Sequence, residues 1–328
     1  MNARLLKSIF VCIFLAFSYA VLKAQEYPIY NQYYFNYFLV NPAIAGSNDC
    51  SYFMGTHKQQ WLGIEDAPYT TSFSYQTRFS GNIGVGTYFF NDNNGYSKQQ
   101  GAQISAAYHI PMASGARYTK AVRKDRQLSF AVSAKFFNYG FDSDLYQRIA
   151  TARYDQALQD LSTMQSQAFN ANVGVYYTSY GFFTGMSFTN LARMKMPSFD
   201  EALEPLLPLS GFFLLGNEFD MKNDETLEPS LMYKFTTNGT MALDVNARYS
   251  RNMPREQFSY WLQLTARMSM DPGNFQALTA LPVLGFQFNK FHMAFAYGID
   301  LNRIVRYNYG SLELMLGYTM CYVEKFCR

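Results

Sequence analysis

Apolar residues fall on every second position through a series of long segments, and this limits what the chain can become. In "LSFAVSAKF", Leu128, Phe130, Val132, Ala134 and Phe136 alternate with Ser129, Ala131, Ser133 and Lys135. In "ALDVNARY", Leu243, Val245, Ala247 and Tyr249 alternate with Asp244, Asn246 and Arg248. "FSYWLQLTARM" and "FHMAFAYGID" repeat the pattern, with Leu262 and Leu264 or Met293 and Phe295 on one side and Gln263 and Thr265 or Ala294 and Ala296 on the other. A period of two is the period of a β-strand, whose side chains point alternately to opposite faces. The segments last about nine to eleven residues, the length a tilted strand needs to cross a bilayer. Strands of a soluble sandwich are usually about five or six residues long. One face is apolar and the other carries Asp, Asn, Gln and Arg, as expected of a wall between lipid and a polar lumen. The fold class that follows is all-β: a transmembrane antiparallel β-barrel of about 14 strands, with a secreted β-sandwich as the competing class.

The strands are expected at 51–61, 69–79, 82–91, 97–110, 127–139, 168–179, 182–191, 208–219, 228–237, 240–250, 256–269, 275–288, 291–301 and 310–321. An even number suits a bacterial single-chain barrel. "FSGN", "TSYG" and the Asn289-Lys290 junction read as tight turns on the periplasmic side. The longer connections 140–167 and 192–207 then fall outside, and the basic stretch 113–127 falls in the periplasm. Within the first of these, Ser143 is a candidate N-cap and Leu145, Ile149, Leu158 and Leu161 are spaced for one face of a helix spanning 143–164. That helix caps the barrel, meets a partner, or is simply a packed loop helix. On the wall, a charge at Val245 is expected to be costly and one at lumen-facing Asn246 far milder.

Residues 1–24 fit a secretory signal peptide: Arg4 and Lys7 open it, Ile9 to Leu22 is mostly apolar, and Leu22-Lys23-Ala24 forms a cleavage site. The expected organisation is therefore a signal peptide at 1–24, an amino-terminal periplasmic or plug segment at 25–50, and an outer-membrane barrel at 51–328. After the signal no apolar run approaches ~18 residues, which excludes a spanning helix. Aromatics reach 18%, with 27 Tyr and 30 Phe, while charged residues are only 16% against an ordinary ~25%. The net charge of +3 selects no strongly charged partner, and nucleic acid is not expected.

The stretch "YNQYYFNYFLVNPAIAG" resembles the amino-terminal signature of the PorP/SprF family of the Bacteroidota type IX secretion system. The residues that carry the likeness are Gln32, Tyr33, Phe35, Asn36, Asn41, Pro42, Ala43 and Gly46. "KQQWLGIEDAPYTTSFSYQ" resembles a second family element through Gln60, Trp61, Gly63, Ala67, Pro68 and Thr70. "NIGVGTYFFND" and "NANVGVYYTSYGFFTGMSFTNL" are similar to the family's glycine-aromatic strands. The chain departs from the pattern in ending "EKFCR" instead of in a terminal aromatic, and in its cysteines at both ends of the barrel. The resemblance implies a non-catalytic outer-membrane component. It would link the outer membrane to the periplasmic secretion machinery, or help export and anchor a cognate surface adhesin used in gliding motility. Its partners would be type IX secretion components or that adhesin, together with outer-membrane lipids. The rival function is a passive or hydrophobic-solute channel.

Pro42 biases Asn41 toward extended geometry and Gly46 permits a positive φ, so the opening motif reads as an extended segment that turns into the wall. It is expected at the periplasmic mouth, either plugging the pore or presenting a docking surface. No small-molecule substrate, cofactor or metal is expected, and no catalytic residue is assigned. His57, His109 and His292 fall in no metal or Ser-His arrangement, and "GNIGVG" lies in an alternating strand without a helix start behind it. Three cysteines follow the signal, Cys50, Cys321 and Cys327, and Cys12 lies within it. In a closed antiparallel barrel the first and last strands pair, which brings Cys50 near the end of the chain. A disulfide from Cys50 is expected, to Cys321 in preference to Cys327, leaving one thiol over, the alternative being three reduced cysteines.

Overall fold

A computed structural model describes residues 31–95, 97–112, 126–141, 165–192, 207–271 and 274–321. The signal peptide, the expected helix at 143–164, nearly all of the 113–127 and 192–207 connections, and Cys327 lie outside the described residues.

The strands in chain order are β1 (Cys50–Gln59), β2 (Tyr69–Ser80), β3 (Ile83–Asn94), β4 (Ser97–Pro111), β5 (Gln127–Phe141), β6 (Gln165–Ser179), β7 (Phe182–Thr189) and β8 (Ser210–Asn217). They continue with β9 (Phe219–Asp220), β10 (Glu225–Thr236), β11 (Met241–Met253), β12 (Phe258–Asp271), β13 (Asn274–Phe288), β14 (Phe291–Asp300) and β15 (Ser311–Cys321). Each long strand pairs antiparallel with its sequence neighbours. The ring closes where β1 meets β15, in unbroken register from Cys50↔Cys321 to Gln59↔Leu312. The fold is thus a closed barrel of fourteen long strands, with the two-residue β9 as an extra piece.

Two expected strand limits are corrected. The strand foreseen at 208–219 is split, with β8 pairing Ser230–Thr236 of β10 and β9 pairing Thr226 and Leu227. The break falls opposite Pro229, which has no N–H to contribute to a ladder. The first strand stops at Gln59 instead of Trp61, because Trp61 takes a positive φ of 47° in the turn that follows.

The alternation places side chains as the period demands. Val132, Val245, Leu262, Leu264 and Phe295 are exposed on the outer face. Ser133, Asp244, Asn246, Gln263 and Thr265 are buried on the inner one. The rim holding Cys50 and Cys321, here the proximal rim, carries the two-residue turns at 81–82, 180–181 and 289–290. The distal rim carries the connections 60–68 and 301–310.

Inner-face polar groups are buried where residues 32–46 pack against them. This stretch is not extended, as the sequence suggested, but folded into three short 3-10 turns: Asn31–Tyr34, Tyr37–Leu39 and Pro42–Ile44. Asn36 and Asn41 cap the second and third, accepting from Phe38 N and Ala43 N at 3.2 and 3.0 Å. Asn41 itself is extended (φ −130°, ψ 107°), the geometry Pro42 favours. Gly46 turns the chain toward β1 with a φ of 63°.

Candidate functional site

The surface where the amino-terminal segment meets the lumen brings together most residues of the opening motif. Near the proximal rim, Arg78 Nη2 donates to Ser47 O and to Gln127 Oε1, both at 3.0 Å. His109 Nε2 lies 3.0 Å from Ala45 O, and its Nδ1 lies 2.8 Å from Ser129 Oγ. A carbonyl only accepts, so Nε2 is the protonated nitrogen. Asn41 Nδ2 donates to Val175 O at 3.0 Å, and Ser187 Oγ donates to Val40 O at 2.6 Å. Phe38 is wholly buried, edge-on to Tyr88 with ring centroids 6.0 Å apart. Asn36 Nδ2 donates to Ser74 Oγ at 2.9 Å.

Further in, the contacts become charged. Tyr33 donates to Asp244 Oδ2 at 2.7 Å, and Arg267 Nε donates to Asp244 Oδ1 at 2.7 Å. Tyr34 donates to the Glu313 carboxylate, which also pairs with Lys58 Nζ at 3.2 Å. Gln32 Oε1 accepts from Thr56 Oγ1 at 2.6 Å. Each of these buried carboxylates has a cation and a tyrosine hydroxyl, the condition under which buried charge is tolerated. Lys58 and Glu313 face each other directly across the β1–β15 seam, eight residues along β1 from Cys50. At about 3.3 Å per residue that is ~26 Å of strand, so the segment is not confined to the mouth but reaches most of the way to the distal rim.

The lumen makes room by omitting side chains. A Cβ on Gly84 would stand 2.0 Å from Ala45 O, and one on Gly174 would stand 2.2 Å from Asn41 Oδ1. Both glycines belong to the glycine-aromatic strands singled out in the sequence, and their place against the segment accounts for them.

Gln32, Asn36, Asn41 and Pro42 are buried and turned to the wall, so in this arrangement they present no surface to a partner. Phe35 is half-buried and packs on the ring of Tyr34, with centroids 4.5 Å apart. The second motif lies at the distal rim. Gln60 N donates to Pro68 O at 2.8 Å, closing the loop of which Trp61 and Gly63 form the turn. A cavity of ≈ 50 Å³ lined by Tyr34, Lys58, Gln60, Trp61, Arg267 and Glu313 is where the two motifs meet. Cys50 and Cys321 are disulfide-bonded, with Cα atoms 4.3 Å apart.

Sequence reasoning missed Lys58, Glu313, Tyr34 and Ser187. A signal for the first pair existed: opposite charges on inward positions of the first and last strands, at matching distances from the two cysteines. Among the described residues no group of three His, Cys, Asp or Glu could hold a metal ion.

A closed ring of long antiparallel strands, apolar outside and polar within, defines an outer-membrane β-barrel. The model of the type IX secretion system membrane protein PorP/SprF matches residues 22–318, and the chain belongs to that family. No curated protein matches the sequence. Similar solved structures include the monoaromatic hydrocarbon channel CymD, 11% identical with a TM-score of 0.49, covering 92% of this chain and 96% of that one. The Ralstonia pickettii toluene transporter TbuX is 9% identical with a TM-score of 0.49, covering 87% and 93%. CdiB from Acinetobacter baumannii is 8% identical with a TM-score of 0.42, and this chain's 83% covers 60% of it.

Proposed function

We propose that the chain is a non-catalytic scaffold of type IX secretion in the outer membrane, with its lumen occluded by its own amino-terminal segment. In that role it links the outer membrane to the periplasmic secretion machinery, or helps export and anchor one cognate surface adhesin. One observation carries the reading: residues 32–45 are hydrogen-bonded to inward-facing groups of the wall from β1 and β2 round to β11 and β15, and those groups are buried. An open conduit would leave them wet. The proximal rim has three two-residue turns and one long connection, 112–126, against four long connections and two two-residue links at the distal rim, and this balance favours the proximal rim as periplasmic. The Cys50–Cys321 bond then lies on the side where disulfides form.

Affinity purification from native membranes, with identification of co-purifying proteins, tests the role. Periplasmic ring components favour the linking role and a large surface adhesin the anchoring one; recovery of neither overturns the proposal. Planar bilayers test occlusion, since the intact chain should not conduct, and steady conductance would support the channel reading instead.

A further inference from the structure

The second family motif is not absorbed by the lumen contacts, and it shapes a surface. Leu62 N donates to Gly310 O and Tyr309 N donates to Leu62 O, both at 2.8 Å, so the 60–68 and 301–310 loops are joined as a short ladder. Gly63, with a φ of 91°, lies against the ring of Tyr309, where a Cβ would stand 2.6 Å from the ring carbons. The motif glycine therefore seats the opposite loop. That loop is internally fixed as well: Asn302 caps the 3-10 turn Arg303–Arg306, and Asn308 Nδ2 donates to Ile304 O at 2.8 Å.

What this rigid loop displays is unusual for a protein surface. Tyr307 and Tyr309 are each 76% exposed, Val305 is exposed between them and the strand, and Arg303 and Arg306 are exposed beside them. Neither arginine has a hydrogen-bond or ion-pair partner among the described residues. The cluster also continues the outward stripe of β14, in which Phe295, Tyr297 and Ile299 are exposed, through the exposed Leu301 just beyond it. An outward apolar stripe that ends in tyrosines and exposed cations has the composition of a membrane interface, where aromatic rings sit at headgroup level and basic side chains meet anionic lipid.

We propose that Arg303 and Arg306, held by the Gly63–Tyr309 contact, form a binding site for phosphate-bearing lipid headgroups of the outer leaflet. Continuity with the lipid-facing stripe favours lipid over a protein partner. Fixed geometry favours headgroup recognition over diffuse attraction, because a guanidinium fork matches phosphate oxygens in pairs.

The test uses the full chain in detergent, titrated with diphosphoryl lipid A, with the same lipid dephosphorylated, and with inorganic phosphate as competitor. The wild type should prefer the phosphorylated lipid by roughly 5-fold per arginine. Arg303→Gln/Arg306→Gln should abolish the preference, and Arg303→Lys/Arg306→Lys, which keeps the charge but loses the fork, should reduce it to a smaller but measurable value. Heat-modifiable migration of both variants reports whether the barrel has folded; the charge-retaining pair keeps the test open if the glutamine pair does not fold. Equal binding of the two lipids, or a preference that survives the glutamine substitutions, overturns the proposal. So does displacement of lipid by equimolar inorganic phosphate, or arginine-dependent capture of a protein without lipid preference.

Discussion

The wall and the segment inside it are stabilised in different ways. The wall repeats one rule: every long strand hydrogen-bonds two neighbours and turns alternate side chains outward, so no single residue decides it. The segment has no ladder. Its place depends on individual contacts, such as Asn41 on Val175, Tyr33 on Asp244 and Ala45 against Gly84. The ring closes through the β1–β15 ladder with no strand from the segment, whereas the segment contributes three short 3-10 turns and no ladder. A substitution should therefore injure one or the other according to the direction its side chain takes.

The sharpest test sets neighbours in β11 against each other. Val245→Arg puts a charge on the lipid face and should cost about 2–4 kcal/mol near the midplane, seen as loss of the heat-resistant folded band. Asn246→Arg, which sequence reasoning treats as mild, meets the packed side chains of Tyr33 and Thr265. Asn246 is 2% exposed and accepts from Thr265 Oγ1 at 2.7 Å. It should leave the folded band in place while making residues 31–46 accessible to protease. If both substitutions act alike, the division between wall and segment fails.

Next comes the seam. Cys50→Ser should lower the urea midpoint by the equivalent of about 2–4 kcal/mol, and the reduced wild type should match it. An unchanged midpoint would mean that the ladder alone sets the wall's stability. Gly174→Val intrudes on Asn41 and should cost about 1–3 kcal/mol, all of it in segment docking, read as conductance in planar bilayers with the barrel intact. Smallest is Tyr33→Phe, which keeps the shape and removes the hydrogen bond to the Asp244 carboxylate and the longer contacts with Asn246, worth about 1.5 kcal/mol while Arg267 still pairs with Asp244. Faster hydrogen exchange at residues 32–39 without change in the strands would place the effect where the contact lies.

The same division explains what could be read beforehand. Alternation is a local property, so strand positions, faces and the pairing of Cys50's strand with the last one were legible from stretches such as "FSYWLQLTARM". The split at β8 and β9 was not, since its cause sits on the facing strand at Pro229. The path of the opening motif was also hidden. Its contacts join residues such as Tyr33 and Asp244, which are 211 positions apart and follow no period. The inward glycines of β3 and β6 were visible as a pattern, but only a neighbour pressed against them gives the pattern a meaning.

The bond between Cys50 and Cys321 turns the wall into a covalent circle, since it joins residues 271 positions apart at the two ends of the sheet. A ring cut once is still one piece. Cleavage of any single loop by a protease at the cell surface would leave every strand tethered through the disulfide, and two cuts would be needed to release a fragment. On non-reducing gels a nicked molecule would run as a single species that reduction resolves into two. The wall can therefore survive wounds to loops that must stay exposed, and the tyrosines and arginines of the 301–310 loop remain attached even when a neighbouring loop has been severed.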